Sequence, residues 1–258
     1  MKRAIIISAV GRRTLHFLME IGRLAILLYR IILYTPRLIK DRGLIVEQML
    51  KMGVNSLPLV SVVSIFTGAV SSWQAAYQLQ GLISFDFLGA SVSAAIFIEL
   101  APVLTAIVIA GRVSASIAAE LGTMMVTEQI DALETLAISP VRYLAFPRFT
   151  AGWVMMPILV IYSYLVAHLG AFFVANLLLN IDANIFFRSV RNYFSVYNAV
   201  AGLIKALVFG AGTSLIGCSI GFRTRGGAEG VGKATIQAFV YSSAFILISD
   251  YVLAMILF

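Results

Sequence analysis

The chain holds 258 residues, 60% of them hydrophobic and only 12% charged, with a mean hydropathy of +0.96. A soluble domain of this length needs far more charge to cover its surface, so composition points instead to an all-α polytopic membrane protein, each span taking about 20 helical residues. The net charge of +7 does not indicate nucleic acid, because ten of the nineteen Lys and Arg fall between Lys2 and Lys51, ahead of the first charge-free span, where they suit a cytoplasmic segment beside anionic lipid.

Residues 1–52 are expected to form cytoplasmic and interfacial helices. His16, Glu20, Arg23, Arg30 and Arg37 recur at spacings of four, three, seven and seven, which puts them on one helical face. The longest charge-free run there, Leu24 to Tyr29, is far too short to cross a bilayer, so an amphipathic helix lying in the interface is expected. Pro36 and Gly43 end it before a second short helix. The segment has no small-residue cleavage site after an apolar core, so no removable signal peptide is expected.

Residues 53–258 read as one membrane domain of five spans, without an appended soluble domain. The first span, about 54–79, lies in the charge-free stretch from Met52 to Phe85, with Pro58 in its first turns. Ser61, Ser64, Gly68 and Ser72 form a small-residue stripe suited to close helix packing in lipid. Trp73, Gln74 and Tyr77 near its outer end suit an aromatic belt, and Gln74 also suits the mouth of a pocket.

The second span, about 87–111, is interrupted by Glu99 and Pro102. Glu99 is thirteen residues from Arg112, hence roughly 20 Å from the inner boundary, where it either holds helices together or lines a polar cavity. A hairpin over 112–148 follows, then spans at about 149–179, 200–222 and 234–258. Lys205 and Asp250 fall at similar depth on the last two and are expected to pair or to snorkel. Gly217 and Gly221 form a GxxxG pair, suited to a tight helix contact within or between subunits.

The segment Gly227 to Thr235 nearly spells a phosphate-binding loop, but Ala234 stands where Ser or Thr would hold magnesium, and a transmembrane helix precedes it instead of a strand. A basic turn is the expectation. His16, His168 and the single Cys218 lack neighbours at ligand spacing, so neither a metal site nor a disulfide framework is expected. No paired catalytic groups appear, and an enzyme is not expected. With the N-terminus inside, sixteen of the nineteen basic residues fall on inward segments, leaving Arg188, Arg191 and Lys205 elsewhere. The positive-inside rule therefore makes the 112–148 hairpin cytoplasmic and the C-terminus external.

That hairpin carries the most informative stretch of the chain, Ala119 to Glu134. If it is one helix, Glu120, Glu128, Asp131 and Glu134 fall within roughly a third of the circumference, while Ile117, Leu121, Met124 and Leu136 pack elsewhere. An acidic helix projecting from an apolar body is suited to docking a soluble partner.

These residues also carry a resemblance. Gly111-Arg112, Ala118-Ala119-Glu120-Leu121-Gly122-Thr123-Met124, Val126 through Glu134, Pro140-Val141-Arg142-Tyr143-Leu144 and Pro147-Arg148 resemble the MlaE/YrbE permease family, the membrane subunits of ABC transporters that work with MCE-domain proteins. Ile98 through Leu104 resembles the family's second span, and Gly22-Arg23 its N-terminal helix. Ser114, Met125 and Ile98 depart from the pattern; Ile98 stands where some members carry Arg, so Glu99 needs another partner or a proton.

The resemblance implies a homodimer in a bacterial inner membrane, with its C-terminus periplasmic. It implies two cytoplasmic ATPases that carry the ATP and magnesium, with no cofactor on this chain, and a periplasmic ring of MCE proteins. The cargo it implies is phospholipid, moved between inner and outer membranes. The family's coupling helix maps to roughly Ser116–Leu136, making Glu120, Gly122, Met124, Glu128, Gln129, Asp131, Ala132, Leu133 and Glu134 the candidate ATPase contacts. Trp73, Gln74, Tyr77 and Glu99 are the candidate lipid pocket. The rival readings are a proton-coupled secondary transporter using Glu99, for which one deep acid and no inverted repeat are thin equipment, and a scaffold that moves nothing.

Overall fold

Long apolar runs in lipid can satisfy their backbone groups only as helices or closed barrels, and this chain takes the helical solution. A computed structural model describes residues 2–79 and 87–258, all helix and connectors with no strand among the described residues. The connector 80–86 lies outside that description, as do the side chains of Lys2, Arg3, Arg12, Arg13 and His16. Among the described residues, five helical segments are long and apolar enough to cross a membrane.

Helix α1 spans Lys2–Ile32 and leads through a short 3-10 turn, Thr35–Arg37, into α2, Arg42–Met52. Ile31 is buried and Leu24, Leu27 and Leu28 pack toward the body, whereas Leu15, Leu18, Ile21, Ile26 and Tyr29 stay exposed. Apolar residues on the outward face suit a helix whose surroundings include acyl chains.

Helix α3, Leu57–Leu79, follows a 3-10 turn at Val54–Ser56. Helix α4 runs unbroken from Leu88 to Val126. It includes two wide π turns, Ile96–Leu100 and Ala110–Ser114. The helix therefore continues fifteen residues past the expected end of span two at 111. Arg112 does not stop it because its guanidinium donates to the Ser56 hydroxyl, while Val113, Ile117, Ala118 and Leu121 are buried. Pro102 is accommodated because it directly follows the first wide turn, where the regular hydrogen-bond ladder is already interrupted.

After the short helix α5, Gln129–Thr135, helix α6 runs from Val141 to Leu177 and also opens with a wide turn, Val141–Ala145, followed by Pro147. It thus starts eight residues before the expected 149. The connector contains α7, Ala183–Asn192, whose first turn is capped by the Asp182 carboxylate accepting from the Asn184 N–H at 2.7 Å. Helix α8 is Val196–Gly221 and α9 is Gly227–Leu257. The phosphate-loop look-alike is therefore the first turns of α9, with positive φ confined to Gly226 and Gly227 at its start.

Helices α4, α6 and α8 hold most of the core, while α9 is largely uncovered. The small-residue stripe of α3 meets α6. Ser64 and Ser163 share a hydrogen bond at 2.8 Å, Ser61 and Tyr162 another at 2.6 Å, and a Cβ at Gly68 would lie 1.8 Å from the Ala167 carbonyl oxygen. Gly217 and Gly221 face Ser114 and Leu121, so the GxxxG contact lies within one protomer.

Candidate functional site: an acidic projection and a buried charge network

At the end of α4 the chain turns at Thr127–Glu128, where Glu128 adopts a left-handed φ of 59°. A second such residue, Ala137 at 58°, closes α5. The acidic segment is thus two helices with a break, and the four carboxylates do not share one continuous helical face. Ile130 is buried and Leu133 half-buried, fastening α5 to the body, so that Glu128, Gln129, Asp131, Ala132 and Glu134 face outward. Leu136 beside them is 70% exposed. Among the described residues, no cation pairs with Glu128, Asp131 or Glu134.

The other predicted contact residues form the neck of this projection. The Glu120 carboxylate accepts from Arg148 at 2.8 Å. The Arg148 side chain is 8% exposed and also donates to the Leu144 carbonyl at 3.0 Å, tying α4 to the start of α6. Gly122 packs against Thr224, and Met124 is half-buried beside the core.

Sequence reasoning did not find the clamp beside this neck. Arg142 makes a two-pronged contact with Asp41, Nε to Oδ2 at 3.0 Å and Nη2 to Oδ1 at 2.8 Å. The Tyr34 hydroxyl donates to Ser139 at 3.1 Å. The connector between α1 and α2 therefore grips the returning arm of the projection. The Arg142 hydrogen bonds, aided by Arg142, Arg37 and Lys40 charge, hold the Asp41 carboxyl below its ordinary value against a smaller opposing effect of burial. A depressed folded value means the contribution is complete above the unfolded value, about 3.9, and disappears as pH falls through the folded one. Asp41→Asn should thus lower thermal stability modestly at pH 7, by about 0.5–1 kcal/mol, and the difference from wild type should vanish in strong acid. Unfolding scans of both proteins at the two pH values check this.

Within the membrane domain, Lys205 on α8 is fully buried, with Nζ 2.6 Å from Glu99 Oε1 and 2.9 Å from Asp250 Oδ1. The first wide turn of α4 builds this arrangement. It frees the Phe97 carbonyl, which accepts from the Tyr164 hydroxyl at 3.1 Å. Gly202 lets α8 pass the same carbonyl, since a Cβ there would sit 2.4 Å from that oxygen. One turn further on, Lys205 reaches Glu99. Lys205–Asp250 is the pair the sequence predicts; Glu99 joining it answers the question raised by Ile98. The Glu99 side chain remains 40% exposed, so one face of the network is open. Trp73, Gln74 and Tyr77 are exposed on α3, and among the described residues no hydrogen bond or ion pair joins them to Glu99. Among the described residues no three metal-binding side chains cluster.

The described residues thus combine five helices long and apolar enough to cross a membrane, an acidic projection at one end and a buried charge network within. The Permease MlaE family profile matches residues 45–256. A probable ABC transporter permease protein of Rickettsia felis is 37% identical over 98% of both chains. A Synechocystis protein of the same description is 42% identical over 82% of this chain and 81% of its own. The intermembrane phospholipid transport system permease protein MlaE of Haemophilus influenzae is 32% identical over 98% of this chain and 97% of its own. The chain belongs to the MlaE permease family and is an ABC transporter permease, a transport component and not a catalyst.

Proposed function

We propose that this permease works as a homodimer in the bacterial inner membrane, moving phospholipids between inner and outer membranes with a periplasmic MCE-domain partner. Two cytoplasmic ATPases, which carry the ATP and magnesium, drive it. The observation that carries the reading is the α5 projection: Glu128, Asp131 and Glu134 stand exposed, without cation partners among the described residues, beside the bare Leu136 side chain, as a contact awaiting a basic, partly apolar cleft requires. The similarity to the Haemophilus phospholipid permease supports the cargo.

In this mechanism the ATPases bind α5 differently in their open and closed states, since only such a difference lets nucleotide binding move the permease. The Glu120–Arg148 bridge and the Asp41–Arg142 clamp pass that movement to α4, α6 and the α1–α2 connector. Glu99, with its open face, lines the lipid path together with Trp73, Gln74 and Tyr77, which the second protomer brings to a shared cavity.

Neutralising the projection with Glu128→Gln and Asp131→Asn should reduce ATPase co-purification about tenfold, while membrane insertion and monodispersity stay unchanged. Normal co-purification and normal lipid transfer by the double variant would contradict the assignment.

A further inference from the structure

A cleft of about 1350 Å³ lies apart from both the α5 projection and the Lys205 network. It lies between α1, the inner end of α8 and the first two-thirds of α9. Its walls are apolar: Ile21 and Leu24 of α1, Ile216 and Ile220 of α8, and Phe245 and Ile248 of α9. Ile21 is 47% exposed and Ile248 68%, so the walls are open to whatever surrounds the protein. Its inner end is basic, carrying Arg23, Arg223, Arg225 and Lys233.

The charges at that end are only partly spoken for. Glu20 is shared by Arg23 at 3.0 Å and Arg223 at 2.5 Å, and Lys233 contacts the exposed Glu229 at 2.6 Å. Arg225 is exposed and has no acidic partner among the described residues. Four cations against two carboxylates leave two positive charges in excess at the mouth of an apolar cleft. From Lys233 to Ile248 the cleft follows α9 for fifteen residues, about 22 Å, more than the roughly 15 Å of hydrocarbon in one leaflet.

We infer that this cleft binds a diacyl phospholipid with an anionic headgroup from the leaflet on the basic-loop side, its phosphate at Arg225 and Lys233 and its acyl chains along Ile21, Tyr241 and Ile248. A soluble phosphate compound has no use for the apolar walls. A second copy of the chain fits poorly, because a two-fold contact through this face sets the same basic rim against itself. An anionic lipid satisfies both ends, each cation near the headgroup strengthening retention about fivefold. The bound lipid wedges α1 against α8 and α9, so the site is an anchoring or regulatory one, separate from the cargo path.

The test uses the full chain in nanodiscs of phosphatidylcholine doped with a phosphatidylglycerol or a phosphatidylcholine that carries a photoreactive group on its acyl chain. Adducts should map to the peptides containing Ile21–Leu24 and Tyr241–Ile248, with phosphatidylglycerol exceeding phosphatidylcholine about 25-fold. Arg225→Gln with Lys233→Gln should bring phosphatidylglycerol labelling down to the phosphatidylcholine level. Ala244→Trp, which fills the cleft and leaves the charges alone, should remove both adducts without changing the elution profile. Soluble glycerophosphate should not compete. Equal labelling by the two lipids, unchanged labelling in the charge variant, displacement by glycerophosphate, or a disulfide between copies through Tyr241→Cys would each overturn the inference.

Discussion

Lys205→Met should be the most damaging single substitution in the membrane domain. It removes the only cation in contact with Glu99 and Asp250 among the described residues and leaves two carboxylates facing each other across a methionine-filled gap that is open only on the Glu99 side. Breaking a buried ion pair by removing one partner typically costs about 3–5 kcal/mol, because the remaining charge has lost its compensation. Thermal unfolding of the purified variant in detergent should show a large loss, or the protein should fail to accumulate. The triple variant Glu99→Gln, Lys205→Met, Asp250→Asn separates stability from transport. With no charge left to strand it should regain most of the lost stability, since replacing a whole buried ionic group is often neutral. It should still move no lipid if the open face of Glu99 serves the cargo path. Wild-type stability in the single variant would show that the network is not compensated as described.

The second large effect is expected at Gly68. A Cβ there would overlap the Ala167 carbonyl, and Gly170 opposes the Ile65 carbonyl in the same way, at 2.2 Å, so the α3 and α6 backbones touch at both positions. Gly68→Val must push the helices apart by more than an ångström. Overpacking costs roughly 1–3 kcal/mol, and backbone-on-backbone overlap belongs at the upper end of that range. The separation also stretches the Ser64–Ser163 and Ser61–Tyr162 hydrogen bonds. A Gly68→Val protein that unfolds at the wild-type temperature would contradict this packing. Ser61→Ala, by contrast, should change little, since interhelical hydrogen bonds in membranes average about 0.6 kcal/mol.

What could be read from the sequence was what depends on local pattern. Long apolar runs located the five spans, and the serine and glycine spacing in α3 marked the face that packs closely, which the structure sets against α6. Helix ends were less legible. Arg112 reads as the edge of a span, yet its guanidinium is absorbed by Ser56 and the helix continues to Val126. The wide turns carry no strong signature of their own, although two of them are followed closely by a proline, Pro102 and Pro147. The break at Glu128 has no glycine or proline to announce it, so one acidic helix was expected where two occur. Asp41 and Arg142 are 101 residues apart, and nothing in either neighbourhood indicates that they meet.

In the proposed mechanism the α5 projection is an inward handle held by a soluble ATPase. With the buried Cys218 replaced by Ser, an Asp131→Cys permease can be labelled with a membrane-impermeant maleimide in inside-out and right-side-out vesicles. Labelling should occur in inside-out vesicles alone and should be suppressed once the ATPase is added back. Labelling from the outer side of sealed right-side-out vesicles, or labelling indifferent to the ATPase, would contradict the account.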